Sequence, residues 1–204
     1  MNWLESIKRI HAIVKTGLHY TEGDYDRDRY EQLKEITEKL LETYTSLTPE
    51  KIDLTLNNGQ EGYVTPKVDI RGVVFRDGKV LMIKEKLDHK WALPGGWADI
   101  GYSPGEIAEK EVWEEAGIKV KPKKLLAVFD KAKHQHPPDI FYSYKLFIWC
   151  EHLEGDPKPG METLDAKFFG PDELPELSVE RNTKEQILRV FSFLDNPDQE
   201  TFFD

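Results

Sequence analysis

The sequence predicts an α/β domain preceded by a helical N-terminal region. Three observations carry this. Apolar residues in the first part recur at three- and four-residue spacing. After about residue 61 they gather into short runs around an Asp-Gly turn. Those runs lead into a glycine-rich loop and then a well-capped helix.

In residues 1–58, Trp3, Ile7, Ile10 and Val14 define one helical stripe, and Tyr30, Leu33, Ile36, Leu40 and Tyr44 define a second. The stretch TGLHYTEGDYD between them reads as a loop, and Thr48-Pro49 opens a third, short helix that ends by Asn57-Asn58-Gly59. Helices of this length do not bury a core alone, so they must pack on the next domain or on another subunit. Strands are expected at Val68–Phe75 and Lys79–Lys84, flanking Asp77-Gly78, and then at Leu125–Asp130, Phe141–Cys150 and Lys167–Phe169. A last helix is expected with Asn182 as its cap, Glu185 three residues on, and Ile187, Leu188, Phe191 and Leu194 as its apolar face. The chain thus divides into a helical region (1–58), an α/β domain (61–195) and a tail (196–204) that is either loose or docked by Phe202 and Phe203.

Composition narrows the function. With 204 residues and 39% hydrophobic content the chain can build a sizeable core, and its net charge of −10 argues against nucleic-acid or anionic-membrane binding. A phosphorylated substrate remains compatible, because bound cations invert the local field. Cys150 has no partner for an internal disulfide and reads as a buried strand thiol in a reducing compartment. The charged start MNWLESIKRIHAIVK has no apolar signal core and no run approaches a membrane span, so a cytoplasmic protein is expected.

Most of the functional information lies in GGWADIGYSPGEIAEKEVWEEAGI, from Gly95 to Ile118. Ser103 is a suitable N-cap, Pro104 fits the first helical position, and Glu106 completes a capping box. Glu111 lies three residues before Glu114 and four before Glu115, which places the three carboxylates on one helix face, while Ala108, Val112 and Ala116 offer packing surface. Carboxylates so placed repel each other. Beside a glycine-rich loop they suit a hard divalent cation, and such cations suit phosphate chemistry.

This segment resembles the Nudix box: Gly, five residues, Glu, seven residues, Arg-Glu, an aliphatic, any residue, Glu-Glu, any residue, Gly, an aliphatic. Gly96, Glu111, Val112, Glu114, Glu115, Gly117 and Ile118 match it, whereas Tyr102 stands at the first Glu and Lys110 at the Arg. Lysine keeps the charge but loses the planar two-pronged contact, so the departures bear on loop rigidity rather than on the metal ligands. Together with FDKAKHQ, FFGPDELPELS and the N-terminal helices, the chain is similar to a Nudix subgroup that includes CDP-choline and ADP-ribose pyrophosphatases.

The resemblance implies an α/β/α sandwich with a mixed sheet, an added N-terminal helical region and a homodimer formed through it. It also implies Mg²⁺ or Mn²⁺ held by Glu111, Glu114, Glu115 and the Gly95 carbonyl. The expected activity is hydrolysis of the diphosphate of a nucleoside diphosphate linked to a small group, CDP-choline first and ADP-ribose second, releasing a nucleoside monophosphate. RNA-end processing and a non-catalytic nucleotide-sensing module are the alternatives. Glu114 or Glu115 would bond the attacking water, and Glu162, then Asp165, are the candidates for general base.

The remaining candidates carry two readings each. Arg71, on an apolar strand, either grips a phosphate or forms an internal salt bridge. Trp91 and Trp97 either stack on a base or pack. Asp99 contacts substrate or fixes the loop. His134 and His136, in KHQHPPD, have no Cys or third His nearby to complete a zinc site and fit a substrate-contacting loop stiffened by Pro137-Pro138.

Overall fold

The computed structural model describes residues 3–45 and 63–204, which leaves the expected third helix at Thr48-Pro49 outside the described residues. The chain forms two units, one of the first 66 residues with Pro138–Tyr142, the other of Lys67–Pro137 with Ser143–Asp204.

The first unit is a helical hairpin of α1 (Trp3–Tyr20) and α2 (Asp24–Tyr44). The linker is only Thr21–Gly23, shorter than the loop expected from sequence. Helix α1 runs straight through Gly17, whose missing side chain makes room for Tyr30: a Cβ there would lie 2.4 Å from that ring. The contact face also differs from the expected stripes. Leu4, Ile7, Lys8, His11 and Val14 of α1 and Thr37 and Leu41 of α2 are buried. His11 Nδ1 pairs with Thr37 Oγ1 at 3.0 Å, and Lys8 donates to the Asp139 and Phe141 carbonyls at 2.9 and 3.0 Å. These polar bonds fix the helix rotation. Leu33, Ile36, Leu40 and Tyr44, from the second expected stripe, stand 37–60% exposed.

The second unit starts with β1 (Lys67–Arg76) and β2 (Lys79–Glu85), joined through the Asp77-Gly78 turn. A two-residue β3 (Trp91–Ala92) precedes the glycine loop and α3 (Pro104–Ala116). Then come β4 (Lys119–Asp130), a 3₁₀ turn at Lys131–Lys133, β5 (Ser143–Glu154), β6 (Thr163–Phe169), α4 (Lys184–Asp195) and β7 (Phe202–Phe203). The strands follow the order β3-β2-β1-β5-β4-β7, with β6 on β2. The sheet is mixed: β1 runs parallel to β5 and β4 parallel to β7, and the other pairs are antiparallel.

Helices cover both faces. Ile107, Ala108, Val112 and Ala116 of α3 pack on Ile70, Val74, Leu81, Ile83, Ile148 and Cys150. Burial pushes the Cys150 thiol up to about 12, so it is inert. Ile187, Val190, Phe191 and Phe193 of α4 pack on the opposite face, against Val73, Val80, Met82, Phe129 and Phe147. The result is an α/β/α sandwich.

Two details of α4 differ from expectation. Its capping box is Thr183 with Gln186, one residue later than the expected Asn182 and Glu185. Asn182 is instead buried, and its side-chain oxygen accepts from the Leu93 amide at 2.8 Å. The inward face includes Val190 and Phe193, and Leu188 is 40% exposed. The short strands β3 and β7 carry no pattern of their own and form where longer neighbours offer a free edge.

Phe129 sits where β4, β5 and β7 meet, edge-on to Phe147 at 5.0 Å and tilted against Phe202 at 5.4 Å. Phe129→Ala is expected to destabilise the protein by about 3–5 kcal/mol, read from urea unfolding.

Candidate active site

The glycine loop is laid against β1 by backbone bonds at 2.8 Å: Gly72 N–H to Pro94 O, Ile70 N–H to Gly96 O, and Ala98 N–H to Val68 O. Gly95 lies between the first two, with φ at +146°, and a Cβ there would stand 2.0 Å from the Ile70 carbonyl. Only glycine fits. The pairing with β1 uses the carbonyls of Pro94 and Gly96 and leaves that of Gly95, whose amide donates to Glu115 Oε2 at 2.8 Å.

Helix α3 begins as the sequence dictates, with a complete Ser103–Glu106 capping box and Pro104 in the first turn, and ends at Gly117 in the left-handed conformation. Its apolar stripe fixes the rotation, so the three carboxylates take graded positions. Glu115 is buried at 8% exposure, Glu111 is half-buried, and Glu114 is exposed. Glu111 is seated against Gly96, where a Cβ would come within 3.0 Å of its carboxylate.

The electrostatics follow from this grading. Burial pushes the Glu115 carboxyl up to about 8; the Gly95 amide and Arg71 oppose this, and Glu111 and Glu85 reinforce it. Burial, and then the charge of Glu114, also raise Glu111. Beneath them Arg71 is buried. Its Nε and Nη2 donate to Asp69 at 2.8 and 2.7 Å, and its Nη1 reaches the Leu93 carbonyl at 3.2 Å. Lys145, directly opposite Asp69 in the β1–β5 register, donates to the same carboxylate at 2.9 Å. Burial lowers Lys145 to about 8 despite that partner. Burial would raise Asp69, but the two cations outweigh it and hold its carboxyl below the usual range.

Among the described residues, no three His, Cys, Asp or Glu side chains form a ready-made coordination shell. The donor set nevertheless fits a hard cation. Two neighbouring carboxylates, Glu111 and Glu115, are raised chiefly by burial, a third lies one helical step away, and the Gly95 carbonyl is not used by β1.

The other sequence candidates scatter. Arg71 is turned inward, about 5% exposed, and committed to Asp69. Trp91 is half-buried and packs edge-on against Phe169 at 4.7 Å. Trp97 is 45% exposed, with the Lys67 ammonium 5.1 Å from its ring centre. Asp99 pairs with Lys110 at 3.0 Å, and that ammonium also sits 5.5 Å from the Tyr102 ring. The two residues that depart from the Nudix box thus contact each other, a cation on an aromatic face in place of an Arg–Glu pair. His134 Nε2 lies 3.1 Å from Asp204, which ties the His134 turn to the C-terminal residue. His136 bonds the Val179 carbonyl at 2.6 Å and is pushed down to about 4, chiefly by burial. Asp165 pairs with Lys167 and caps the Ala166 amide. Glu162 is exposed, and its charge acts on Glu85. Its segment is latched to α3 through Gly160 N–H and Thr163 Oγ1, which both reach the Glu115 carbonyl, at 3.2 and 2.8 Å.

Four residues escaped the sequence reading: Asp69, Lys145, Glu85 and Arg181. Glu85, at the end of β2 where the strand bulges, is 6% exposed and paired with Arg181. A signal was present, since Glu85 continues the alternation of Leu81 and Ile83 and so falls on a core-facing position. Asp69 is likewise two residues before Arg71 on the same strand face.

The fold and site define the class. Residues 65–191 match the NUDIX domain, and the chain belongs to the Nudix family. Residues 1–56 match a UDP-X-like N-terminal oligomerisation domain. A protein of Bacillus subtilis (strain 168), provisionally named ADP-ribose pyrophosphatase YjhB, is 45% identical over 99% of this chain and 97% of its own length. An ADP-ribose pyrophosphatase of Methanocaldococcus jannaschii is 31% identical over 63% of this chain and 75% of its own. Among solved structures, a UDP-X diphosphatase is 34% identical with a TM-score of 0.64, covering 99% of this chain and 98% of that one. An ADP-ribose pyrophosphatase from Streptococcus suis is 38% identical with a TM-score of 0.63, covering 69% and 100%. The chain is a Nudix hydrolase, of a family that uses divalent metals.

The raised Glu115 makes a pH prediction. The unfolded state releases this proton near 4.5, whereas the native state keeps it to about 8, so stability falls as pH rises through that window. With chelator present, Glu115→Gln should therefore raise Tm, by a margin that grows from about pH 5 to about pH 8 and then levels off. Thermal unfolding across that range checks it; a margin independent of pH would refute it.

Proposed function

We propose that the protein is a Mg²⁺- or Mn²⁺-dependent pyrophosphohydrolase that cleaves the diphosphate of a nucleoside diphosphate linked to a small group, releasing a nucleoside monophosphate. The observation that carries this reading is the seating of Glu111 and Glu115, with Glu114 on the same face of α3, against a glycine loop whose Gly95 approaches β1 too closely for any side chain. The names of the similar proteins support ADP-ribose or a UDP-linked compound as the substrate. CDP-choline rests on subgroup resemblance.

Glu111, Glu114, Glu115 and the Gly95 carbonyl would hold the metal, which when bound neutralises diphosphate charge and activates water. The chain's own residues set the conditions. Glu115 gives up a proton held up to about 8, and its hydrogen bond to the Gly95 amide keeps helix and loop in register as it does so. Arg71 supplies a fixed positive charge beneath it. Glu162, on the segment latched to the α3 C-terminus, is the general base of this proposal, because Asp165 is occupied by Lys167.

Incubation with either metal and a panel of ADP-ribose, UDP-sugars, CDP-choline, NADH, dinucleoside polyphosphates, nucleoside triphosphates and capped RNA tests the reading. A nucleoside monophosphate plus a phosphorylated partner is expected. Glu114→Gln and Glu162→Gln should each lower kcat by orders of magnitude with Tm nearly unchanged, and chelation should abolish turnover. Hydrolysis of triphosphates alone would overturn the linked-nucleotide assignment.

A homodimer through the N-terminal helices belongs to the same proposal. It is supported by the match to an oligomerisation domain and by the outward stripe of Leu33, Ile36, Leu40 and Tyr44. Ile36→Glu with Leu40→Glu should convert a dimer to a monomer in light scattering, and an unchanged mass would exclude this stripe as the interface.

A further inference from the structure

The proposed chemistry needs a cation to grip the diphosphate, and Arg71, the sequence candidate, is buried and committed to Asp69. The structure places another guanidinium on Glu85, whose charge acts on Glu115. Arg181 lies in the turn between β6 and α4, with its side chain 24% exposed and its Nε paired with Glu85. Nη1 lies 3.2 Å from Ser178 Oγ. An arginine carries five N–H donors, so among the described residues this arrangement leaves Nη2 and part of Nη1 uncommitted.

Glu85 ties this residue to the centre. The Glu85 carboxylate acts on Glu115 and on Arg71, and it feels Glu162 in turn. The turn that carries Arg181 is held on several sides. Ser178 N–H bonds the Trp91 carbonyl at 2.8 Å, and Asn182 accepts from Leu93 N–H at 2.8 Å. Ser178 Oγ reaches Asp88 at 2.7 Å, and Thr183 begins α4 with its capping box. Trp91 and Leu93 are the residues that lead into Gly95, so the Arg181 turn and the glycine loop share one anchor. A partly exposed guanidinium held this firmly loses little rotamer entropy when it binds a second anion.

We propose that Arg181 is the residue that binds the substrate diphosphate, with Glu85 as its positioning partner. Nε stays on Glu85 while the uncommitted Nη donors bond a phosphoryl oxygen. This rests on the reading that the site processes a diphosphate, and it adds a specific contact to that reading. Glu85 acts through Arg181 and does not touch the substrate.

The test uses the full-length protein and two readouts. The first is steady-state hydrolysis of ADP-ribose with Mg²⁺. The second is binding of imidodiphosphate, a non-hydrolysable diphosphate, by calorimetry with the same metal. Arg181→Met should raise both KM and the imidodiphosphate Kd by about tenfold to a hundredfold, the size of a lost charge-assisted contact. Arg181→Lys should recover part of the binding, since it keeps the charge without the fork. Glu85→Gln should shift KM in the same direction by a smaller factor. Arg189→Met, on the outer face of α4, should change neither readout. If Arg181→Met unfolds, Arg181→Lys and Glu85→Gln carry the test by the same readouts. Folded Arg181 variants with unchanged KM and Kd would overturn the proposal, and so would a wild-type protein that binds no imidodiphosphate. If the wild type binds imidodiphosphate through Arg181 but turns over no linked nucleotide, the substrate assignment fails and the Arg181 assignment stands.

Discussion

The hydrogen bond from the Gly95 amide to the Glu115 carboxylate joins two parts of the chain twenty residues apart, and the site depends on it. The glycine loop cannot move toward the sheet, because Gly95 is already at the limit of approach to the Ile70 carbonyl. Helix α3 cannot rotate without pulling Val112 and Ala116 out of the core. With both sides fixed, one carboxylate oxygen meets one amide, and Glu111 is left against Gly96 with Glu114 in solvent. Burying Glu115 in this way costs stability.

A second layer of charge supports this arrangement from below. Asp69 serves two buried cations, Arg71 and Lys145, and the parallel register of β1 and β5 is what brings them together. One carboxylate facing two cations leaves a positive excess under a site rich in negative charge. The charge of Arg71 is felt by Glu115, whose carboxyl would otherwise stand higher still. Buried groups of this kind are worth little as stabilisers, but they set the field in which Glu111, Glu115 and Glu85 ionise.

The departures from the Nudix box follow the same logic of replaced contacts. Lys110 holds Asp99 and lies on the Tyr102 ring, so the loop from Gly95 to Ser103 is tied to α3 by a cation that bridges an acid and an aromatic face. The N-terminal helices show a parallel exchange. A polar pair, His11 with Thr37, takes an inner position beside Leu41, and Leu33, Ile36, Leu40 and Tyr44 of α2 are turned outward.

The sequence by itself determined the elements whose signals are local. The Ser103 capping box, Pro104 and Gly117 fix α3 through bonds within a few residues, and the Asp-Gly turn fixes the β1–β2 hairpin. The same local periodicity put Glu111, Glu114 and Glu115 on one face. Features that depend on partners distant in sequence were decided by the tertiary structure. Helix rotation in α1 and α2 depended on which side met a neighbour, and α4 began at Thr183 because Asn182 was taken by Leu93. The short strands β3 and β7 needed neighbouring edges to pair with. Arg71 could be seen as a charge on a strand, but only the fold decided that Asp69 and Lys145 would enclose it. Arg181 stands about a hundred positions after Glu85 in the chain, and no periodicity links two residues so far apart; the sheet and the turn before α4 bring them together.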